Sequence, residues 1–197
     1  MYKLEHYDNS AIVNHPEVLN YRLDARNGLE KDWNLRLFDL KSVLPLFYEW
    51  IEDLFSSPIA VTRFFITLPH SDTIVHQDHG YNTSLNIPII NCEDNYNVWY
   101  NVNWNLRPKE ATTRYDADTV TYAANNAGAY LFPKEAVTNI KEKIILSKPT
   151  LFCASTPHNT ITKELRNPRY PRIVLSVRTK NMRKKSNISF DEFVTKL

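Results

Sequence analysis

Glycine is scarce in this chain, with three in 197 residues, and neither a GxGxxG turn nor a GxxxxGKS/T loop is present. Dinucleotide and P-loop readings therefore lose their usual support. Cysteine is as rare. Cys92 and Cys153 stand singly in apolar, strand-like surroundings without CxxC spacing, which argues against a thiolate zinc site. Two buried, reduced thiols in an intracellular, cytoplasmic protein is the simpler reading. No stretch approaches ~18 uninterrupted apolar residues, and the N-terminal MYKLEHYDNS lacks the apolar centre of an export signal. Neither a membrane span nor export is expected. Charge of one sign is missing too: the formal net charge is +2, and the only dense basic run is RTKNMRKK at 178–185. Such a run reads as solvated surface rather than the concentrated basic face of a nucleic-acid domain.

What is present points to a packed interior. Eleven prolines make the loops stiff, but 12% aromatic and 43% hydrophobic residues are enough to build a core. The length, 197 residues, suits one domain. Residues 1–40 have no clean period and read as short strands or turns packing on an edge. From about 43 to 56, Val43, Leu44, Phe47, Trp50, Ile51, Leu54 and Phe55 fall at three-and-four spacing, which predicts an amphipathic helix. Ser42 is its expected N-cap, Pro45 fits its first turn, and Ser56-Ser57-Pro58 ends it. Residues 1–60 thus form an N-terminal support.

Between 61 and 179 the helical period gives way to short β-branched and aromatic runs. Strands are expected at 61–67, 73–78, 84–90, 98–104, 129–132, 143–146, 150–154 and 172–179. The fold class is mainly β with flanking helices, a sandwich or barrel. A basic segment, 180–197, follows; Ser189 and Glu192 are a capping box for a short helix over 190–196.

The chemistry centres on His76-Gln77-Asp78. On a strand, residues two apart share a face, so His76 and Asp78 aim at one point while Gln77 and His79 face away. One imidazole and one carboxylate are two thirds of a 2-His-1-carboxylate triad, the set that holds non-haem Fe(II) with positions left open. Of the other histidines, His6 and His15 fall in the irregular N-terminal part and His70 in a turn where it needs no special role, although it is a candidate for the pocket rim. His158, in KPTLFCASTPHNT after a strand, is the candidate third ligand. Beyond it, PRIVLSVR at 171–178 alternates: Ile173, Leu175 and Val177 form an apolar face, whereas Arg172, Val174, Ser176 and Arg178 form the other. Two inward arginines are costly unless they meet an anion, and a dicarboxylate supplies one.

In order and spacing, His76, Asp78, His158 and Arg172 resemble the motif of the Fe(II)- and 2-oxoglutarate-dependent oxygenases. The resemblance covers about residues 61–179 and extends to SLNIPIINC at 84–92, in the manner of small stand-alone microbial and viral members. It implies a double-stranded β-helix, a jelly-roll related to cupins. It also implies Fe(II) on His76, Asp78 and His158, with 2-oxoglutarate held by Arg172. Arg178 is a second anion or substrate contact, Ser176 a hydrogen-bond donor to the same carboxylate, and Asn86 a pocket residue. The implied reaction is O₂-dependent hydroxylation of a peptide side chain or small molecule. HQD and Arg-x5-Arg also resemble the AlkB-type nucleic-acid demethylases, although position 174 is Val where that pattern has Asn. The aromatic and amide-rich segment 91–130, with Tyr96, Trp99, Tyr100, Trp104, Tyr115 and Tyr122, is a candidate substrate lid. From a different class, a non-catalytic β-sandwich or cupin-like binding module predicts no 2-oxoglutarate dependence.

Overall fold

The computed structural model describes residues 9–23, 33–78, 83–106, 109–111 and 129–179. The chain is mainly β, with two antiparallel sheets. One contains β1 (Trp33–Leu37), β2 (Ile59–Thr67), β4 (Thr83–Ile90), β9 (Thr150–Cys153) and β11 (Arg172–Thr179), in the order β1-β2-β11-β4-β9. The other contains β3 (His76–Asp78), β5 (Tyr96–Val102), β6 (Lys109–Ala111), β7 (Ala129–Leu131), β8 (Val137–Ile145) and β10 (His158–Ile161), in the order β6-β7-β3-β10-β5-β8. The pairings nest: β5 with β8, β4 with β9, β3 with β10 and β2 with β11. Successive nested pairs fall in alternate sheets, so residues far apart in sequence meet at one end of the molecule.

Four short helices flank the first sheet: α1 (Ser10–Val13), α2 (Pro16–Leu19), α3 (Leu40–Val43) and α4 (Pro45–Phe55). The helix expected over 43–56 is two helices broken at Leu44, whose φ of −136° leaves the helical region. Pro45 causes the break, because its ring disfavours helical backbone in the residue before it. It then occupies the first position of α4, where its missing N–H is no loss. Ser42 is not the cap either. Asp39 caps α3 and accepts both the Ser42 N–H at 3.2 Å and the Ser42 hydroxyl at 2.6 Å. Ser56 ends α4 in the left-handed region at φ 46°.

The apolar stripe of α4, Phe47, Ile51, Leu54 and Phe55, is buried against Phe64 and Ile66 of β2, Leu85 and Ile87 of β4, and Ile173, Leu175 and Val177 of β11. β11 lies between β2 and β4 and all eight of its residues are buried. One face therefore belongs to this helix-side core. The other, with Val174, meets Cys92, Trp99, Leu146 and Phe152 in a second cluster drawn from both sheets.

The expected strands from 61 onward all occur, 172–179 with the limits expected and the others with shifted ones. β5 stops at Val102 because the Asn103 N–H turns to the Ala136 carbonyl at 2.7 Å. β8 begins six residues before the expected start; it is an edge strand whose mostly exposed sequence, VTNIKEKII, has no buried apolar face to reveal it. β1, β6 and β10 have no counterpart among those expected strands. The helix expected over 190–196, with Ser189 and Glu192, lies outside the described residues, as do His6, His79, Tyr115, Tyr122 and the basic run beyond Thr179. Arg178, inside that run, is 2% exposed and so is no part of a solvated surface.

Candidate metal centre

His76 opens β3 and His158 opens β10, and the two residues face each other across the antiparallel pair. That register sets their rings 4.5 Å apart between centroids. Each ring is oriented in the same way. His76 Nδ1 lies 2.8 Å from the Ile74 carbonyl, and His158 Nδ1 lies 2.7 Å from the Thr156 carbonyl. A carbonyl can only accept, so each Nδ1 donates its N–H there and each Nε2 is the ring nitrogen left for a metal. Backbone carbonyls of this kind are what orient metal-ligating histidines. Trp99 adds support: its indole N–H donates to the Cys153 carbonyl at 3.0 Å, and its ring lies 6.3 Å from that of His158.

Asp78 lies two residues from His76 on the same face, with Oδ1 4.0 Å from His76 Nε2. Its other oxygen, Oδ2, accepts a hydrogen bond from Arg178 Nη2. Burial alone would raise the carboxyl pKa, but Arg178, followed by His76, His158 and Arg63, holds it well below the usual carboxylate range. Asp78 is therefore an anion with one oxygen committed to Arg178 and the other on the side of His76. Among the described residues no group of three His, Cys, Asp or Glu side chains converges tightly enough to define a metal centre as it stands. The donor set nevertheless fits one: two imidazole Nε2 atoms and one carboxylate oxygen, bordering a common space.

That space is a cavity of about 230 Å³. His76, Asp78, His158, Arg172, Arg178 and Asn86 all line it. Ser176 does not. It is fully buried, opposite Asn86 in the β4–β11 register, and its Oγ has no hydrogen-bond partner among the described residues. His70 lines a different cavity, beside Asp72 and Glu164, and no part of this one. Of the expected aromatic lid, the described members leave the cavity bare: Trp99 packs on Phe152, Tyr96 lies under the Lys143 ammonium at 3.7 Å, Tyr100 donates to Asn159, and Trp104 is exposed.

Arg172 is 3% exposed, and among the described residues no carboxylate pairs with it. Its Nη2 donates to Asn97 Oδ1 at 3.2 Å, while its Nε has no partner among the described residues. Burial works to lower its pKa. A buried guanidinium satisfied by one amide is a standing invitation to an anion. Asn97 itself was not apparent in the sequence, because an Asn in YNVWYNV reads as a turn residue and nothing local places it opposite β10.

His158 has a pKa pushed down to about 4, first by burial and then by His76, against Asp78 and the Thr156 carbonyl. It is thus neutral at pH 7 and competent as a ligand. The unfolded chain binds the extra proton below about pH 6.5 and the folded chain only near 4, so the metal-free protein should lose stability as pH falls through that window. The loss is on the order of 3 kcal/mol. Urea midpoints between pH 7 and 4 check it, and His158→Gln should flatten the slope.

No protein-family model matches the chain, and no curated protein matches it significantly.

Proposed function

We propose that this chain is an Fe(II)- and 2-oxoglutarate-dependent dioxygenase that hydroxylates a peptide side chain or a small molecule, built on a double-stranded β-helix. The nested pairing of β2 to β5 with β8 to β11, alternating between two sheets, supports the jelly-roll reading. One observation carries the function: a single cavity holds two histidines that offer Nε2, a carboxylate between them and Arg178, and a buried guanidinium with no carboxylate partner among the described residues.

In this reading His76, Asp78 and His158 hold the metal, with Asp78 Oδ2 kept on Arg178 so that Oδ1 serves as a single-oxygen ligand. Arg172 anchors the far carboxylate of 2-oxoglutarate, and Asn97 holds the guanidinium in place. Phe65, Phe152 and Leu131 line the same cavity and limit water around the reacting atoms. Bound Fe(II) supplies O₂ activation, coupling oxidation of 2-oxoglutarate to succinate and CO₂ with insertion of the second oxygen atom into a substrate C–H bond. An intracellular location suits this chemistry, since Fe(II) and the free thiols of Cys92 and Cys153 persist in a reducing compartment.

The test is O₂-dependent succinate release by the iron-loaded protein, screened across amino acids, peptides and nucleotides. Succinate formation that requires both Fe(II) and 2-oxoglutarate is the expected result. Metal retention without any 2-oxoglutarate dependence would instead assign a cupin-like role, and failure to bind metal would leave a binding module. Turnover confined to nucleotides would favour the demethylase branch.

A further inference from the structure

We propose that Ile74, Leu131 and Phe65 form an apolar lip at the mouth of the cavity, which admits one uncharged aliphatic side chain of a polypeptide whose backbone stays outside. Resting on the oxygenase reading above, this selects a peptide side chain over a free small molecule.

An exposed isoleucine alone means nothing, since single apolar side chains are common on protein surfaces. Ile74 is 61% exposed, but it also lines the cavity and stands two residues before His76. Leu131 lies opposite His76 in the β3–β7 register, and Phe65 lines the cavity from the other sheet; both are partly exposed. His76 is the more open of the two neighbouring ligands, its side chain 26% exposed against 10% for Asp78. Solvent therefore reaches the site on the side that Ile74 and Leu131 flank.

The polar groups at this mouth are already committed. Thr73 Oγ1 accepts the Thr160 N–H at 2.8 Å, and Thr160 Oγ1 donates to Asn97 Oδ1 at 3.2 Å. Asp78, Arg172 and Arg178 are the ionised side chains among the described lining residues, and in the oxygenase reading metal, co-substrate and the Arg178–Asp78 pair occupy them. A charged substrate group entering here loses its water and gains no partner, a cost that an aliphatic group does not carry.

Size then argues against a free small molecule. The cavity of about 230 Å³ must also take 2-oxoglutarate, whereas an apolar cavity of about 150 Å³ is filled by one benzene. What remains suits a single aliphatic side chain. Burying one contributes about ten- to a hundredfold in affinity, against the roughly thousandfold that a millimolar complex needs. The rest has to come from parts of the substrate outside the mouth, which a polypeptide supplies. With R–H as the side chain, R–H, O₂ and 2-oxoglutarate give R–OH, succinate and CO₂, one oxygen atom entering the C–H bond and the other succinate.

Binding and turnover are measured apart. In saturation-transfer NMR on metal-free protein, the methyl protons of N-acetyl-leucine methylamide should be saturated about fivefold more than the side-chain protons of N-acetyl-lysine methylamide, and Ile74→Asp should reverse that order. A variant that merely folds less well lowers both signals and leaves their order unchanged. Turnover is read on iron-loaded protein as succinate release with random peptide pools that share one fixed central residue. Pools fixed at leucine, isoleucine, valine or proline should exceed those fixed at lysine, arginine, aspartate or glutamate, and free leucine, by about tenfold. Stronger saturation of the lysine probe, an unchanged order in Ile74→Asp, or turnover that charged pools or free amino acids lead, or that no pool stimulates, overturns the lip. Succinate release with no aliphatic preference keeps the oxygenase reading and sinks the lip; leucine saturation that Ile74→Asp reverses, without succinate release in any arm, does the opposite.

Discussion

Asp78→Ala and His158→Ala should each abolish 2-oxoglutarate turnover and weaken Fe(II) binding at least a hundredfold, whereas His70→Ala should change neither. The size follows from the donor count. Loss of a group that merely orients a ligand already costs about ten- to a hundredfold in metal affinity, so loss of one of three ligands costs more. His70 is the control because it is a histidine of the same domain in a separate cavity. Binding is read by Mn(II) titration of chelator-treated protein and turnover by succinate release, with circular dichroism to show that each variant folds. Full metal-dependent turnover in either site variant would remove the centre assigned here.

Arg178→Met should destabilise the metal-free protein by about 3 kcal/mol, because it strips the ion partner from a carboxylate only 10% exposed. Arg63 still contributes to holding Asp78 ionised, which keeps the cost towards the lower end of what such deletions do. Two further measurements identify the cause. Asp78→Asn added to Arg178→Met removes the stranded charge and should recover most of the loss, as expected for contacting residues whose effects do not add. Mn(II) should also recover part of it, since a cation bound to Asp78 replaces the guanidinium and stabilises the folded state by mass action. A variant that unfolds at the parent's urea midpoint would show that Asp78 does not depend on Arg178.

Much of this site could be read along the chain, wherever the relevant physics is local. Residues two apart on a strand share a face, so His76 and Asp78 had to point together. The alternation in PRIVLSVR separates Ile173, Leu175 and Val177 from Arg172, Val174 and Arg178, and both faces are buried: the first enters the helix-side core, the second the cavity and the cluster beside it. Strand limits were less legible where exposure erases the pattern, as in β8, or where a loop hydrogen bond ends a strand, as at Asn103. The break at Leu44 shows one local rule overriding another: the apolar period runs on through it, but the backbone restriction before Pro45 prevails.

The roles of the two arginines were a different matter. In sequence they are equivalent members of one strand face, six residues apart, and nothing nearby tells them apart. They differ through partners brought by distant strands. β3 carries Asp78 to Arg178 and makes an ion pair, while β5 carries the neutral Asn97 to Arg172, which has no carboxylate partner among the described residues. Periodicity can say which way a side chain faces, because that depends on its own backbone. What the side chain meets depends on pairings that close across loops of unrelated sequence, so the division of labour between Arg178 and Arg172 exists only once β3, β5, β10 and β11 enclose the same space.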